Sequence, residues 1–173
     1  MYTVSMMNDF KAFSLVLKYG GDILRSKEFR KTKEFIQHGN VSVYTHSVFV
    51  AVSCVKVAAR YKKVDYKSLV CGALLHDYFL YDWHFRGDRK GLHGFTHAIC
   101  AYKNAERDFN LNKIVRNMIR SHMCPLNLIL PAYRESFILW YCDKACAVKE
   151  SEKSRRKRIR PSLKMKIKAA LKG

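Results

Sequence analysis

Apolar residues recur at helical spacing along nearly the whole chain. In NDFKAFSLVLKY, residues 8–19, Phe10, Phe13, Leu15 and Leu17 fall near one helical face, and Gly20-Gly21 then read as a break. Residues 22–38 (DILRSKEFRKTKEFIQH) read as a more polar helix, stopped by Gly39-Asn40, two residue types that accept the left-handed conformation closing many helices. Ser42 suits the N-cap of a helix over 43–61, with Val48, Phe49, Val52, Val55 and Ala59 on its apolar side. Beyond the turn at Lys62-Lys63 and Asp65, helices are expected at about 66–77, 94–109 and 111–123. Pro131 fits the first turn of a long helix reaching about Glu150, and residues 162–172 read as a last amphipathic helix. Residues 79–93 lose the period and read as a loop. No internal repeat and no two-residue hairpin signal is visible. The pattern predicts an all-α bundle over residues 1–150, followed by a basic tail, 151–173.

Composition agrees with a globular fold. The 173 residues suffice for one core, 49% are apolar, and there are eight glycines and three prolines, which argues against disorder. No apolar run reaches the roughly 20 residues of a membrane span. MYTVSMMNDF lacks the basic-then-apolar order of a secretory signal, so the expected location is cytoplasmic. The six cysteines form no CxxC pair and lie mostly in apolar helical patterns, as reduced thiols do. Cys142 and Cys146 share a helix face and with Cys124 offer a zinc alternative. Structural zinc sites favour short loop spacings, and buried free thiols are commoner.

Charge narrows the choice of partners. The net charge of +19 attracts phosphorylated ligands, nucleic acid or anionic membrane. From Lys153 onward the chain carries ten Lys or Arg and no acid. Such a stretch is either a solvated end or an element that binds polyanions.

Inside the apolar patterns lie groups that do not belong in a dry core. His46 sits on a largely apolar helix, His76-Asp77 end another, and His97 stands in FTHAICAY. His122 follows NKIVRNMIRS, and Asp143 falls inside SFILWYCDKACAV. Singly, each has a plain explanation. His46 could be a core imidazole bonded to a carbonyl, and His38 and His122 could face helix dipoles at C-termini. Together they give five helices, each offering a ligand nitrogen or oxygen in an apolar setting, which is how helical bundles assemble metal sites. An unpaired carboxylate at Asp143 would be costly, so a cation is expected there. Imidazole with carboxylate suits manganese, iron, cobalt or zinc, and admits magnesium, better than a thiolate-seeking ion.

The ordered set His46, His76-Asp77 and Asp143 resembles the H…HD…D signature of the HD-domain superfamily of metal-dependent phosphohydrolases, over roughly residues 35–150. FIQHGNVSVYTHS, LLHDYFLYDW, GLHGFTHA and SHMCPL are similar to a small bacterial branch of it. The resemblance implies an all-α fold and a first divalent ion on His46, His76, Asp77 and Asp143. It implies a second ion bridged by Asp77 and bound by His97 and His122. Where some HD subfamilies continue with Ile-Gly-Lys after HD, this chain has Tyr78-Phe79-Leu80, so that lysine is missing and cyclic-dinucleotide specificity does not carry over.

Phosphate-ester hydrolysis needs a nucleophile stronger than water, and metal coordination lowers the pKa of water from 15.7 to about 7. The expected activity is phosphomonoesterase or phosphodiesterase on a small phosphorylated or nucleotide substrate, with a metal-activated hydroxide as nucleophile. Arg86, Arg89, Lys90, Arg120 and Lys144 are candidate phosphate contacts, though any one such residue is more often simply a surface cation. Asp82, His84 and His93 are candidates to orient ligands or to move protons, or are members of a polar loop. His38, in QHGN, joins them. Two alternatives remain: a basic nucleic-acid-binding protein acting through the tail, and a helical protein whose metal is purely structural.

Overall fold

Asn8 begins the first helix, α1 (Asp9–Arg25), by accepting a hydrogen bond from the Lys11 N–H. This is a computed structural model, and it describes residues 7–85 and 92–170, with the backbone alone for residue 38 and residues 153–170. Contrary to the expected break, α1 runs straight through Gly20-Gly21. The reason is close packing. A Cβ on Gly20 would lie 2.5 Å from Leu74 Cδ1 and 2.8 Å from Val70 Cγ1, so glycine lets α1 approach α4 (Tyr66–Leu75).

The polar stretch 22–38 is not one helix. Ser26 ends α1 and caps the next helix, its N–H bonding Asp22 and Ile23 carbonyls and its hydroxyl accepting from the Phe29 N–H. The short α2 (Lys27–Arg30) and one 3-10 turn (Lys31–Lys33) follow. The chain then forms an antiparallel pair, β1 (Ile36–His38) and β2 (Val41–Ser42), with Ile36 opposite Ser42 and His38 opposite Val41. Gly39 between them has φ 58°, so the glycine read as a helix stop instead turns a small hairpin.

Ser42 caps α3 (Val43–Ala58) as the sequence predicts, accepting from the Thr45 N–H. Asp65 caps α4 in the same way through Ser68. The remaining helices are α5 (His93–Asp108), α6 (Lys113–Ser121) behind its Asn112 cap, and α7 (Arg134–Ala170). In backbone, α7 is one helix of 37 residues rather than a helix to Glu150 and a second at 162–172. Residues 150–160 are rich in Glu, Lys and Arg, which are good helix formers, and the helix runs on through Pro161.

Among the described residues the architecture is seven α-helices and one two-stranded pair, an all-α fold. α3 and α4 form its centre. α1 and α7 pack on α3, while α6 packs on both α4 and α7 and carries α5. Val50, Cys54, Val55, Leu69, Leu74, Leu75, Met118, Ile119 and Leu139 fill the core with almost no exposure. All six cysteines are free thiols. Among the described residues, no helix is long and apolar enough to cross a membrane.

Candidate metal centre

Helix ends and helix faces converge on one buried point. His46 lies in the first turns of α3, His76 and Asp77 directly follow α4, His97 is on α5, His122 directly follows α6, and Asp143 is on α7. A helix leaves its last carbonyls unpaired. Two of these histidines use such a carbonyl: His76 Nδ1 is 2.9 Å from Ala73 O, and His122 Nδ1 is 2.7 Å from Ile119 O. His97 Nδ1 is 2.7 Å from His93 O. A carbonyl only accepts, so all three rings donate from Nδ1. In the neutral ring this leaves a lone pair on Nε2, aimed at the cluster. His46 follows the same rule with a carboxylate, its Nδ1 being 2.9 Å from Glu150 Oε2.

The Nε2 atoms meet carboxylate oxygens in two groups. In the first, His46 Nε2 is 3.1 Å from Asp143 Oδ1 and 3.7 Å from Asp77 Oδ2, while His76 Nε2 is 3.5 Å and 3.2 Å from the same two oxygens. In the second, Asp77 Oδ1 is 3.4 Å from both His97 Nε2 and His122 Nε2, which are 3.0 Å from each other. Asp77 thus turns one oxygen to each group. In each group, one ligand atom per residue lies within 4.8 Å of the others, close enough to hold an ion.

The donor set fits divalent cations. His76 Nε2 and Asp77 Oδ1 are buried and make no hydrogen bond among the described residues. Two lone pairs on His97 and His122 facing each other at 3.0 Å repel unless a cation or proton lies between or beside them. Buried polar groups left in this state cost about 1–3 kcal/mol each.

The electrostatics match. Burial disfavours an imidazolium at His46, but hydrogen bonds to Asp143 and Glu150 and the Asp77 charge outweigh it and raise its pKa to about 9. Burial likewise opposes charge at His76, which Asp77 and Asp143 lift well above the ordinary histidine range. Against their own burial, Asp77 and Asp143 are held well below the carboxylate range by the surrounding imidazoles, with Lys144 also acting on Asp143. Burial lowers His122, keeping it the neutral base a ligand must be. This is a pocket that selects positive charge.

A supporting layer surrounds the six. Gln37 Nε2, from β1, donates to Asp77 Oδ2. Lys144 Nζ donates to Asp143 Oδ2 at 2.8 Å and to His122 O at 3.1 Å, with its side chain 40% exposed. The His93 ring stacks on His97 at 4.5 Å and on Trp83 at 4.9 Å, and its Nδ1 is 2.9 Å from the Tyr81 hydroxyl. Trp83 Nε1 donates to Ile36 O, tying the loop after α4 to the hairpin that holds Gln37.

Other expected residues make different contacts. Asp82 and His84 are exposed and spend their polar atoms on each other, with Asp82 Oδ1 accepting from His84 N–H and standing 3.1 Å from its Nδ1. Arg120 is exposed on the outer side of α6, its guanidinium over the Tyr102 ring. Arg86, Arg89, Lys90 and the side chain of His38 lie outside the described residues. Neither metal-competent group contains a cysteine. Two hollows of about 1200 and 540 Å³, along α3 and α7, include none of the six residues, though Glu150 lines the smaller.

Gln37 and Glu150 are absent from the sequence-derived set. Glu150 had a signal: it follows Asp143 by seven residues, two turns along the same helix face. Gln37 stands in the family-like phrase FIQHGNVSVYTHS, but its strand lies where the pattern reads helix.

Residues 43–163 match the HD domain. No curated protein and no solved structure matches the chain. The match covers more than half of the sequence and spans all six converging residues, and HD domains bind divalent metals. With an all-α fold around buried His and Asp groups able to hold metal, the chain belongs to the HD domain family.

Proposed function

We propose that this protein is a metal-dependent phosphohydrolase, a mono- or diesterase, for a small phosphorylated molecule or nucleotide. The observation that carries the reading is the split of Asp77, one oxygen toward His46, His76 and Asp143 and the other toward His97 and His122. The first set would hold one ion and the second set another. Divalent ions so held supply Lewis acidity toward water and phosphoryl oxygens. The chain's own residues do the rest. Hydrogen bonds at Nδ1 fix the four rings, so no reorganisation is needed when charge develops. Lys144, partly exposed beside Asp143, offers a point charge to a phosphoryl oxygen. Arg86, Arg89 and Lys90, which precede α5 in sequence, are proposed to add cations.

The test is metal-stripped protein reloaded with Mn²⁺, Fe²⁺ or Co²⁺ and offered phosphomonoesters, phosphodiesters and nucleotides. Metal-dependent phosphate release, lost in His76→Ala, is expected. Folded, metal-loaded protein silent on the whole panel would count against hydrolysis. A His76→Ala variant that only melts earlier would assign the metal a structural role.

A second reading rests on the ten Lys or Arg from Lys153 onward. The basic stretch, proposed as an element distinct from residues 1–150, would bind nucleic acid. Salt-dependent RNA or DNA binding that disappears on removing residues 151–173 supports it, and binding unaffected by that removal opposes it.

A further inference from the structure

The four histidines of the cluster are not anchored alike. Three donate Nδ1–H to backbone carbonyls, of Ala73, His93 and Ile119. His46 alone faces a carboxylate, Glu150 Oε2 at 2.9 Å, across the packed seam between α3 and α7. The His46 side chain is fully buried and that of Glu150 is 11% exposed. The other Glu150 oxygen, Oε1, is buried and makes no hydrogen bond among the described residues, so the carboxylate is committed to the imidazole.

A carboxylate behind an imidazole does two things that a carbonyl does less well. It places a full negative charge one ring away from the ligand nitrogen, and so makes Nε2 a stronger donor to a cation. It also fixes the ring with a charge-assisted hydrogen bond. Glu150 shares a face of α7 with Asp143, so one helix supplies both a direct ligand and the group behind its neighbour. The first group thus has Asp143 besides the shared Asp77, and a further carboxylate behind His46. The second has Asp77 and two imidazoles backed by neutral carbonyls.

Building on the metal-centre reading above, we infer that Glu150 is a positioning residue that makes the two ion sites unequal, so that the His46–His76–Asp77–Asp143 site fills first and holds its ion more tightly. Glu150 touches neither ion nor substrate; it acts through His46.

The experiment titrates the full-length, metal-stripped protein with Co²⁺ or Mn²⁺ by calorimetry, counts ions by elemental analysis and follows the visible Co²⁺ spectrum. Wild type should take up two ions in two resolved steps. Glu150→Ala should weaken the tighter step by about 10- to 100-fold and change the Co²⁺ bands of the first equivalent, leaving the weaker step close to wild type. Glu150→Gln, which keeps an oxygen acceptor but loses the charge, should fall between. Circular dichroism checks folding. Folded Glu150→Ala with both wild-type affinities and the wild-type spectrum would overturn the inference. Should the alanine variant not fold, a glutamine variant with wild-type affinities would overturn it equally. If wild type binds no ion, the metal reading falls first and this inference with it. Two ions bound by wild type with no effect of Glu150 would remove this inference alone.

Discussion

The two halves of the cluster share Asp77 and little else. The first is rich in charge and built into the core: His46, His76 and Asp143 stand among Val50, Leu75, Leu139 and Cys142, all buried. The second is rich in nitrogen and, like His76 in the first, sits at helix ends. His122 follows the last turn of α6, and His97 lies near the start of α5, where Leu92 provides no side-chain cap. At that helix start the His93 ring lies between Trp83 and His97. The contrast teaches that the same residue types are held here by two kinds of physics. A carboxylate fixes His46 in one half, backbone carbonyls fix His76 and both rings of the other half, and only that other half adds aromatic stacking against His97.

The strongest way to break this arrangement is at the shared residue. Asp77→Ala removes an oxygen from both groups and should abolish uptake of both ions. Metal-dependent turnover should fall by more than about 10³-fold, the scale of several kcal/mol of lost charge stabilisation. Elemental analysis and a phosphate-release assay on the same preparation check it. Uptake of one ion by this variant would show that the halves do not depend on a common bridge.

A smaller effect should separate the halves. His122→Ala takes a ligand from the nitrogen-rich half only. Ion stoichiometry should drop from two to one, with turnover lower by about 10²-fold. The remaining ion should bind with wild-type affinity by calorimetry. Loss of both ions would mean that the second half props up the first.

What the sequence made legible follows the same division. Every one of the six converging residues interrupts a helical apolar pattern, and a buried polar group is conspicuous there because burial without a partner is costly. Ser42, as a cap, was readable for an equally local reason. Less legible were features decided by tertiary contact. Gly20-Gly21 reads as a break on local propensity, but the approach of α1 to α4 overrides it. Gly39 is left-handed in either reading, and only the pairing of Ile36 with Ser42 tells a hairpin from a helix stop. Gln37 reaches Asp77 only because of that hairpin. Asp82, His84 and Arg120 were not placed by the sequence either. They are close in sequence to the cluster but exposed, with Asp82 and His84 bonded to each other and Arg120 over the Tyr102 ring, and sequence proximity carries no information about which way a loop or helix face points.

The finest probe of the shared residue lies at the far end of its helix. α4, which delivers His76 and Asp77, begins at Asp65, whose Oδ1 accepts from the Ser68 N–H at 3.1 Å and whose Oδ2 accepts from the Ser68 hydroxyl at 2.5 Å. Partial burial pushes the Asp65 pKa upward, but these bonds and the nearby Lys67 outweigh it and hold the carboxyl below its ordinary value. A carboxylate with a depressed folded pKa adds stability above its unfolded pKa, near 3.9, and loses it as pH falls through the folded value. Asp65→Ala should therefore cost about 1 kcal/mol at pH 7, the usual worth of a cap. The gap between variant and wild type should narrow as pH drops below the ordinary carboxylate range. Urea midpoints for both proteins at pH 7 and pH 3 measure it, and protonation of the cluster, common to both, cancels in the difference. A gap of equal size at the two pH values would mean that the charge of Asp65 contributes nothing and that α4 is started by the shape of the cap alone.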